Sequence, residues 1–177
     1  MTKSRLLKKI NSDKVKYKNI CSDSRIIKKG DIFFAIPGSI TDGLKYVNNA
    51  IAKGASAIVI PIEKKIKTSP NIPTYKVRDI RKELSLAAFA LNNETIEKKI
   101  AVTGTNGKTS VTYFLNYLLL NLGEKTATIG TLGNSLIKKP SNKNLTSPEP
   151  ITLSKQLVKL SKNKTKYLVM EASSHGL

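Results

Sequence analysis

KIAVTGTNGKTSVTYFLNYLLLNLG, residues 99–123, is the stretch that decides the fold. A short apolar run enters a glycine turn at Gly104. The turn opens into a helical pattern over 107–123, with Val111, Phe114, Leu115, Leu118, Leu119 and Leu122 on one side and Gly123 at the stop. Strand, tight turn and helix in that order predict an α/β unit built on a parallel sheet. The turn itself carries chemistry. Glycines let consecutive N–H groups curl toward one anion, and a helix start adds positive potential. In Gly104-Thr105-Asn106-Gly107-Lys108-Thr109-Ser110, Lys108 can reach terminal phosphate oxygens and the Thr109 hydroxyl suits Mg²⁺. The common phosphate loop has four residues between its glycines; here only Thr105 and Asn106 intervene, and Val102 stands where the first glycine of the longer form would fall. The competing bland reading is a glycine turn whose Lys and Thr merely begin a helix.

Working outward toward the C-terminus, TATIGTLGN (126–134) reads as a strand and turn, 135–149 as a polar loop with two prolines, 151–163 as a helix, and YLVMEA (167–172) as a buried strand. Glu171 ends that strand. A carboxylate there is costly unless paired or metal-bound, and strand C-terminal ends form the ligand crevice of open α/β sheets. Thr109 and Glu171 are therefore expected to converge on one Mg²⁺. Their side-chain oxygens should lie about 4–7 Å apart, two metal–oxygen bond lengths with room for a water. The alternative is a Glu bonded to nearby backbone N–H groups. No helix follows YLVMEA, so the sheet is expected to end on a bare strand, as in a piece of a longer protein.

Toward the N-terminus, IFFAI (32–36) and SAIVI (56–60) read as buried strands, closed by Pro37-Gly38 and Pro61. Leu44–Lys53 has helical spacing at Leu44, Val47 and Ile51, with Gly54 as its stop. TYKV (74–77) is a short strand. Asp79 is placed to cap a helix from Ile80 to about Leu91, with Leu84, Ala87, Ala88 and Leu91 on one face. The polar NNETIEKK (92–99) reads as a boundary. The expected organisation is a small α/β domain over 1–96, then the first part of a P-loop-type ATP-binding α/β domain over 97–177 with a mainly parallel sheet.

Composition narrows the function classes. Apolar residues make up 40% of the 177, enough for a core and against a disordered chain. No apolar run approaches the roughly 20 residues of a membrane span, and MTKSRLLKKINSDK lacks the apolar segment of a secretory leader. One cysteine, Cys21, excludes an intramolecular disulfide and a multi-Cys zinc site. A reducing cytoplasm and a monomer are expected. The formal charge of +19 suits an anionic partner. A nucleic-acid-binding P-loop module would favour a clustered basic face with interleaved aromatics. Aromatics are only 6%, and the lysines are dispersed as pairs at 8–9, 28–29, 64–65, 98–99 and 138–139. With Ile and Asn also abundant, AT-biased codon usage and a small anionic substrate account for the charge without nucleic acid.

VTGTNGKTSV resembles the ATP loop of the Mur ligases and the related folylpolyglutamate synthases, whose loop has this short form. DSRIIKKGDIFFAIPGSITDG (23–43) and the Ala50–Ala55 helix end resemble the N-terminal domain of the Mur ligases that add the third amino acid to the muramoyl peptide. IGTLGN, LTSPEP and MEASSHGL match the same subfamily, in the same order. The uridine-binding first domain argues against a folylpolyglutamate synthase.

The resemblance implies an ATP-dependent ligase of peptidoglycan precursor synthesis acting through an acyl phosphate. Its substrates would be UDP-N-acetylmuramoyl-L-alanyl-D-glutamate and diaminopimelate or lysine. It implies ATP binding by residues 104–110, with Lys108 and Glu171 catalytic and Thr109 and Glu171 on Mg²⁺. It places the UDP-linked substrate on Ser22, Ser24, Ser39, Thr41, Thr146, Ser147 and Ser174. It also implies a second metal site and an amino-acid-binding domain beyond residue 177, so this chain alone is expected to lack full activity.

Overall fold

The computed structural model describes residues 4–38, 42–66, 71–134 and 147–173. The chain forms two compact units, Met1–Leu91 and Asn92–Leu177. The boundary was expected within NNETIEKK, and the division falls at its start. Residues 92–96 join the second unit: Asn92 Nδ2 donates to Ser154 Oγ, Thr95 N–H donates to Ser161 Oγ, and Ile96 is buried.

The first unit contains α1 (Arg5–Ser12), β1 (Asn19–Cys21), β2 (Asp31–Phe34), a 3₁₀ turn (Gly43–Tyr46), α2 (Val47–Ala52), β3 (Ala57–Pro61), β4 (Thr74–Val77) and α3 (Ile80–Leu91). The sheet order is β1-β2-β3-β4 and every pair is parallel. Parallel neighbours need a crossover, usually a helix. Between β1 and β2 the connection is instead the loop that carries Asp23-Ser24-Arg25, anchored by buried Ile27. Phe33 and Phe34 point to opposite faces and are both almost fully buried, each worth roughly 1.5–3 kcal/mol of transfer free energy. Asp79 caps α3 as expected, its Oδ1 accepting from Lys82 N–H at 3.0 Å. The sequence pattern had not marked α1 or β1. The helix α1 is capped by Ser4, whose Oγ accepts from Leu7 N–H, and it buries Leu6, Leu7 and Ile10.

The second unit contains β5 (Lys98–Val102), α4 (Lys108–Asn121), β6 (Thr126–Gly130), β7 (Gly133–Asn134), α5 (Pro150–Lys162) and β8 (Tyr167–Glu171). Its sheet order is β5-β8-β6-β7, with only β7 antiparallel. Two expectations change here. The last strand is not bare: β8 sits between β5 and β6, and Leu168 and Val169, on opposite faces, are both fully buried. The apolar side assigned to α4 also divides. Thr112 is its buried residue, with Leu115, Asn116 and Leu119 half-buried, while Val111, Phe114, Leu118 and Leu122 are exposed. Leucines run almost all round this helix, so periodicity alone did not select the face that meets the sheet. The 112-115-116-119 stripe meets it, and Asn116 Oδ1 accepts from Thr126 Oγ1 at 2.9 Å.

Candidate functional site

The 104–109 loop leaves the C-terminal end of β5 and opens α4. Gly107 occupies the N-cap position in the left-handed region, φ +77°, where a side chain is strained. No side chain caps α4, and its first turn holds no acidic residue. Those N–H groups and the helix dipole therefore suit an external anion. Lys108 Nζ reaches back across the loop, donating to Gly104 O at 2.7 Å and Thr105 O at 3.2 Å. The loop is not packed shut. Thr105, Asn106, Gly107, Lys108, Thr109, Ser110, Thr131 and Glu171 line an open depression of about 250 Å³.

Glu171 forms the floor of that depression. It lies opposite Val102 in the parallel pairing of β8 with β5 and is 2% exposed. Thr109 Oγ1 donates to Glu171 Oε2 at 2.9 Å, although the two residues are 62 positions apart. The two side chains converge as expected but closer than the expected 4–7 Å. A buried carboxylate is costly without donors, so the hydroxyl bonds to it directly. Thr131 supplies two further donors: its N–H to Oε1 and its Oγ1–H to Oε2, both at 3.0 Å. Of the two readings of Glu171, the backbone-bonded one finds its contact in the Thr131 N–H, while the Thr109 hydroxyl bonds the same carboxylate directly. Thr131 had not been singled out as a site residue, though it lies inside the IGTLGN segment.

Ser147 sits beside the same strand end. Its Oγ accepts from Ser173 N–H at 2.9 Å and lies 3.3 Å from Glu171 O and 3.2 Å from Ser173 Oγ. Thr146 and Ser174 lie outside the described residues.

Comparison with known proteins decides the family. Residues 16–101 match the model described as Mur ligase family, catalytic domain, and residues 102–177 match the Mur ligase middle domain. The chain belongs to the Mur ligase family. The UDP-N-acetylmuramoyl-L-alanyl-D-glutamate–2,6-diaminopimelate ligase of Bradyrhizobium diazoefficiens is 40% identical over 161 residues, covering 89% of this chain and 32% of the relative. Ligase 1 of the same name from Clostridium acetobutylicum is 38% identical over 184 residues, covering 97% of this chain and 38% of the relative. The chain thus spans about a third of the length of the curated relatives it matches. Among solved structures, a ligase of that name superposes with a TM-score of 0.74 at 24% identity, covering 90% of this chain and 32% of its own, a likeness of fold. The MurF ligase of Thermotoga maritima in complex with ADP matches with a TM-score of 0.56 at 26% identity, covering 90% and 33%.

In this Mur ligase chain, the turn expected to hold uridine is more self-contained than the 104–109 loop. Asp23 and Arg25 form an internal ion pair. Arg25 Nε bonds both Asp23 oxygens, at 2.9 and 3.0 Å, and its second terminal nitrogen bonds Oδ2 at 2.7 Å. The guanidinium holds the Asp23 carboxyl below the usual range. Ser24 is buried at 7% exposure. Ser22 follows the end of β1 and is half-buried. Lys53 Nζ donates to Ser24 O at 2.7 Å and Arg25 O at 3.1 Å, tying this turn to the end of α2. Ser39 and Thr41 lie outside the described residues.

Proposed function

We propose that this chain is the N-terminal part of an ATP-dependent ligase that adds diaminopimelate to UDP-N-acetylmuramoyl-L-alanyl-D-glutamate. The relatives' names support this substrate pair. The observation that carries the reading is the meeting of Thr109 and Glu171 under the phosphate loop. In the overall reaction a substrate carboxylate attacks the γ-phosphorus of ATP, and ADP departs. The amine then attacks the acyl carbon of the acyl phosphate, loses a proton, and phosphate departs. The chain's own part is positioning and charge neutralisation.

Residues 104–110 would hold the phosphates, with Lys108 exchanging its loop carbonyls for phosphate oxygens. The donor set fits Mg²⁺: one hydroxyl and one carboxylate, both oxygen ligands, beside a phosphate site. Among the described residues no trio of His, Cys, Asp or Glu forms a competing metal centre. Mg²⁺, held by Thr109 and Glu171, would neutralise phosphate charge. The first unit, Met1–Leu91, would bind the UDP moiety through Ser22, Ser24 and the Ser39–Thr41 segment. Thr146, Ser147 and Ser174 would approach the muramoyl part. No helix among the described residues is long and apolar enough to cross a membrane; a cytoplasmic monomer is the proposed state.

Calorimetric titration of the chain with ADP, in the presence and absence of Mg²⁺, and separately with the UDP-muramoyl dipeptide tests the reading. Saturable binding of both is expected, that of ADP strengthened by Mg²⁺. Binding of neither would overturn it.

A further inference from the structure

Glu171 rests in a seat built by two residues that the nucleotide chemistry has not used. Ile129 of β6 lies opposite Met170 of β8, so Gly130 and Thr131 run on beside Glu171. A Cβ at Gly130 would meet Glu171 Cγ and Cδ at 2.7 Å, closer than any real contact. The bare backbone at 130 is what lets the carboxylate lie against the end of β6. Thr131 then grips both carboxylate oxygens, N–H on Oε1 and hydroxyl on Oε2. Thr109 offers only its hydroxyl, to the same Oε2.

These donors differ in how freely they can turn. A hydroxyl that gives a lone pair to a cation has its orientation set by that cation, so Thr109 is a poor sole anchor for Glu171. Thr131 starts from the opposite side of the carboxylate, on a different strand, and one of its two bonds comes from the backbone. It also lines the depression in front of the phosphate loop.

We propose that Gly130–Thr131 is a preformed seat for the Glu171 carboxylate, and that Thr131 is a positioning residue keeping Glu171 aimed at the phosphate loop. The link to a cation rests on the nucleotide reading above; the seat itself does not.

The test compares Thr131→Val, which keeps the shape and loses the hydroxyl, with Thr131→Ser, which keeps the hydroxyl. Mn²⁺ binding in the presence of ADP is measured by electron paramagnetic resonance on the 177-residue chain. Removing an outer partner of a metal ligand typically costs on the order of 10-fold in metal affinity. That loss is expected in Thr131→Val and its recovery in Thr131→Ser, with ADP affinity in EDTA unmoved. Crystal structures of the parent and Thr131→Val give a metal-independent readout, in which the Val variant should keep Glu171 Oε1 on the retained Thr131 N–H while Oε2 swings away from the lost hydroxyl. An unchanged Mn²⁺ affinity, or a carboxylate that keeps its place without the hydroxyl, overturns the proposal. If the parent binds neither ADP nor Mn²⁺, the nucleotide reading fails, and the seat is judged on the Glu171 orientation alone.

Discussion

The Asp23–Arg25 turn and the Gly104–Thr109 loop both follow a short parallel strand, and both are polar. They use their hydrogen-bonding groups in opposite ways. In the first, Asp23 and Arg25 satisfy each other and Lys53 takes two carbonyls. In the second, the start of α4 is left uncapped and faces open space, while the one buried acid beneath it is fully partnered. A turn closed on itself stabilises its own shape and offers a ligand few groups. A loop held open by glycine, over a carboxylate fixed from a neighbouring strand, offers a ligand most of its donors. The contrast predicts that substitutions around Glu171 disturb both stability and binding, and do so more than substitutions in the Asp23–Arg25 turn.

The largest effect is expected at the floor of the open loop. Glu171→Ala removes the charged acceptor of three part-buried hydrogen bonds, and a hydrogen bond to a charged group contributes about 1.5–3 kcal/mol. Gly130→Ala forces the carboxylate from its seat, with an overpacking cost of about 1–3 kcal/mol. Urea unfolding should show both as lowered midpoints; a Gly130→Ala chain as stable as the parent would contradict the tight approach of β6 to Glu171. Next comes Lys108→Ala. Losing a charge-assisted phosphate contact costs about 1.5–3 kcal/mol, so ADP affinity should fall tenfold or more with the fold intact. Unchanged affinity would place the phosphates elsewhere.

A smaller effect is expected for Ser24→Ala in the closed turn. It should weaken binding of the UDP-muramoyl dipeptide by up to about tenfold, the worth of one hydrogen bond; equal affinity in calorimetry would remove Ser24 from the site. Titration of Tyr75 sharpens the contrast from within the first unit. Burial, and then its hydrogen bond to Asp13, push its hydroxyl up to about 12. A group raised above its ordinary value stabilises the fold below that value, so this contribution should persist to about pH 10 and fade as pH rises toward 12. Phenolate absorbance near 295 nm should show one late-titrating tyrosine that Tyr75→Phe deletes. The smallest effect belongs to Arg25→Ala. Asp23 is lowered from 3.8 by that partner, so the pair contributes above that pH and the contribution is lost as pH falls through the lowered value. Parent and variant unfolding curves should differ slightly at neutral pH and converge in acid.

Much of this was legible in the one-dimensional pattern. GTNGKT between an apolar run and a helix marked the glycine turn that joins β5 to α4. Glu171 stood out because a carboxylate at the end of YLVME has no local partner. The apolar runs 32–36 and 56–60 marked their strands because parallel strands are buried on both faces. Other features were not legible. Asn19–Cys21 is too short to carry a periodic signal, and α1 hides among lysines, its buried stripe reduced to Leu6, Leu7 and Ile10. The helix α4 carries apolar residues on nearly every side, so its inward face was ambiguous.

By itself the sequence determined the α/β class, the strand–glycine turn–helix at 104–109 and the meeting of Thr109 with Glu171, because each rests on local chemistry or on the requirement that a buried charge find a partner. The tertiary structure alone decided what surrounds Glu171. Strand order is set by how strands of distant sequence pack, and inserting β8 between β5 and β6 brought Gly130 and Thr131 to the carboxylate. No spacing rule connects residues 130 and 131 with 171; only the register of neighbouring strands does.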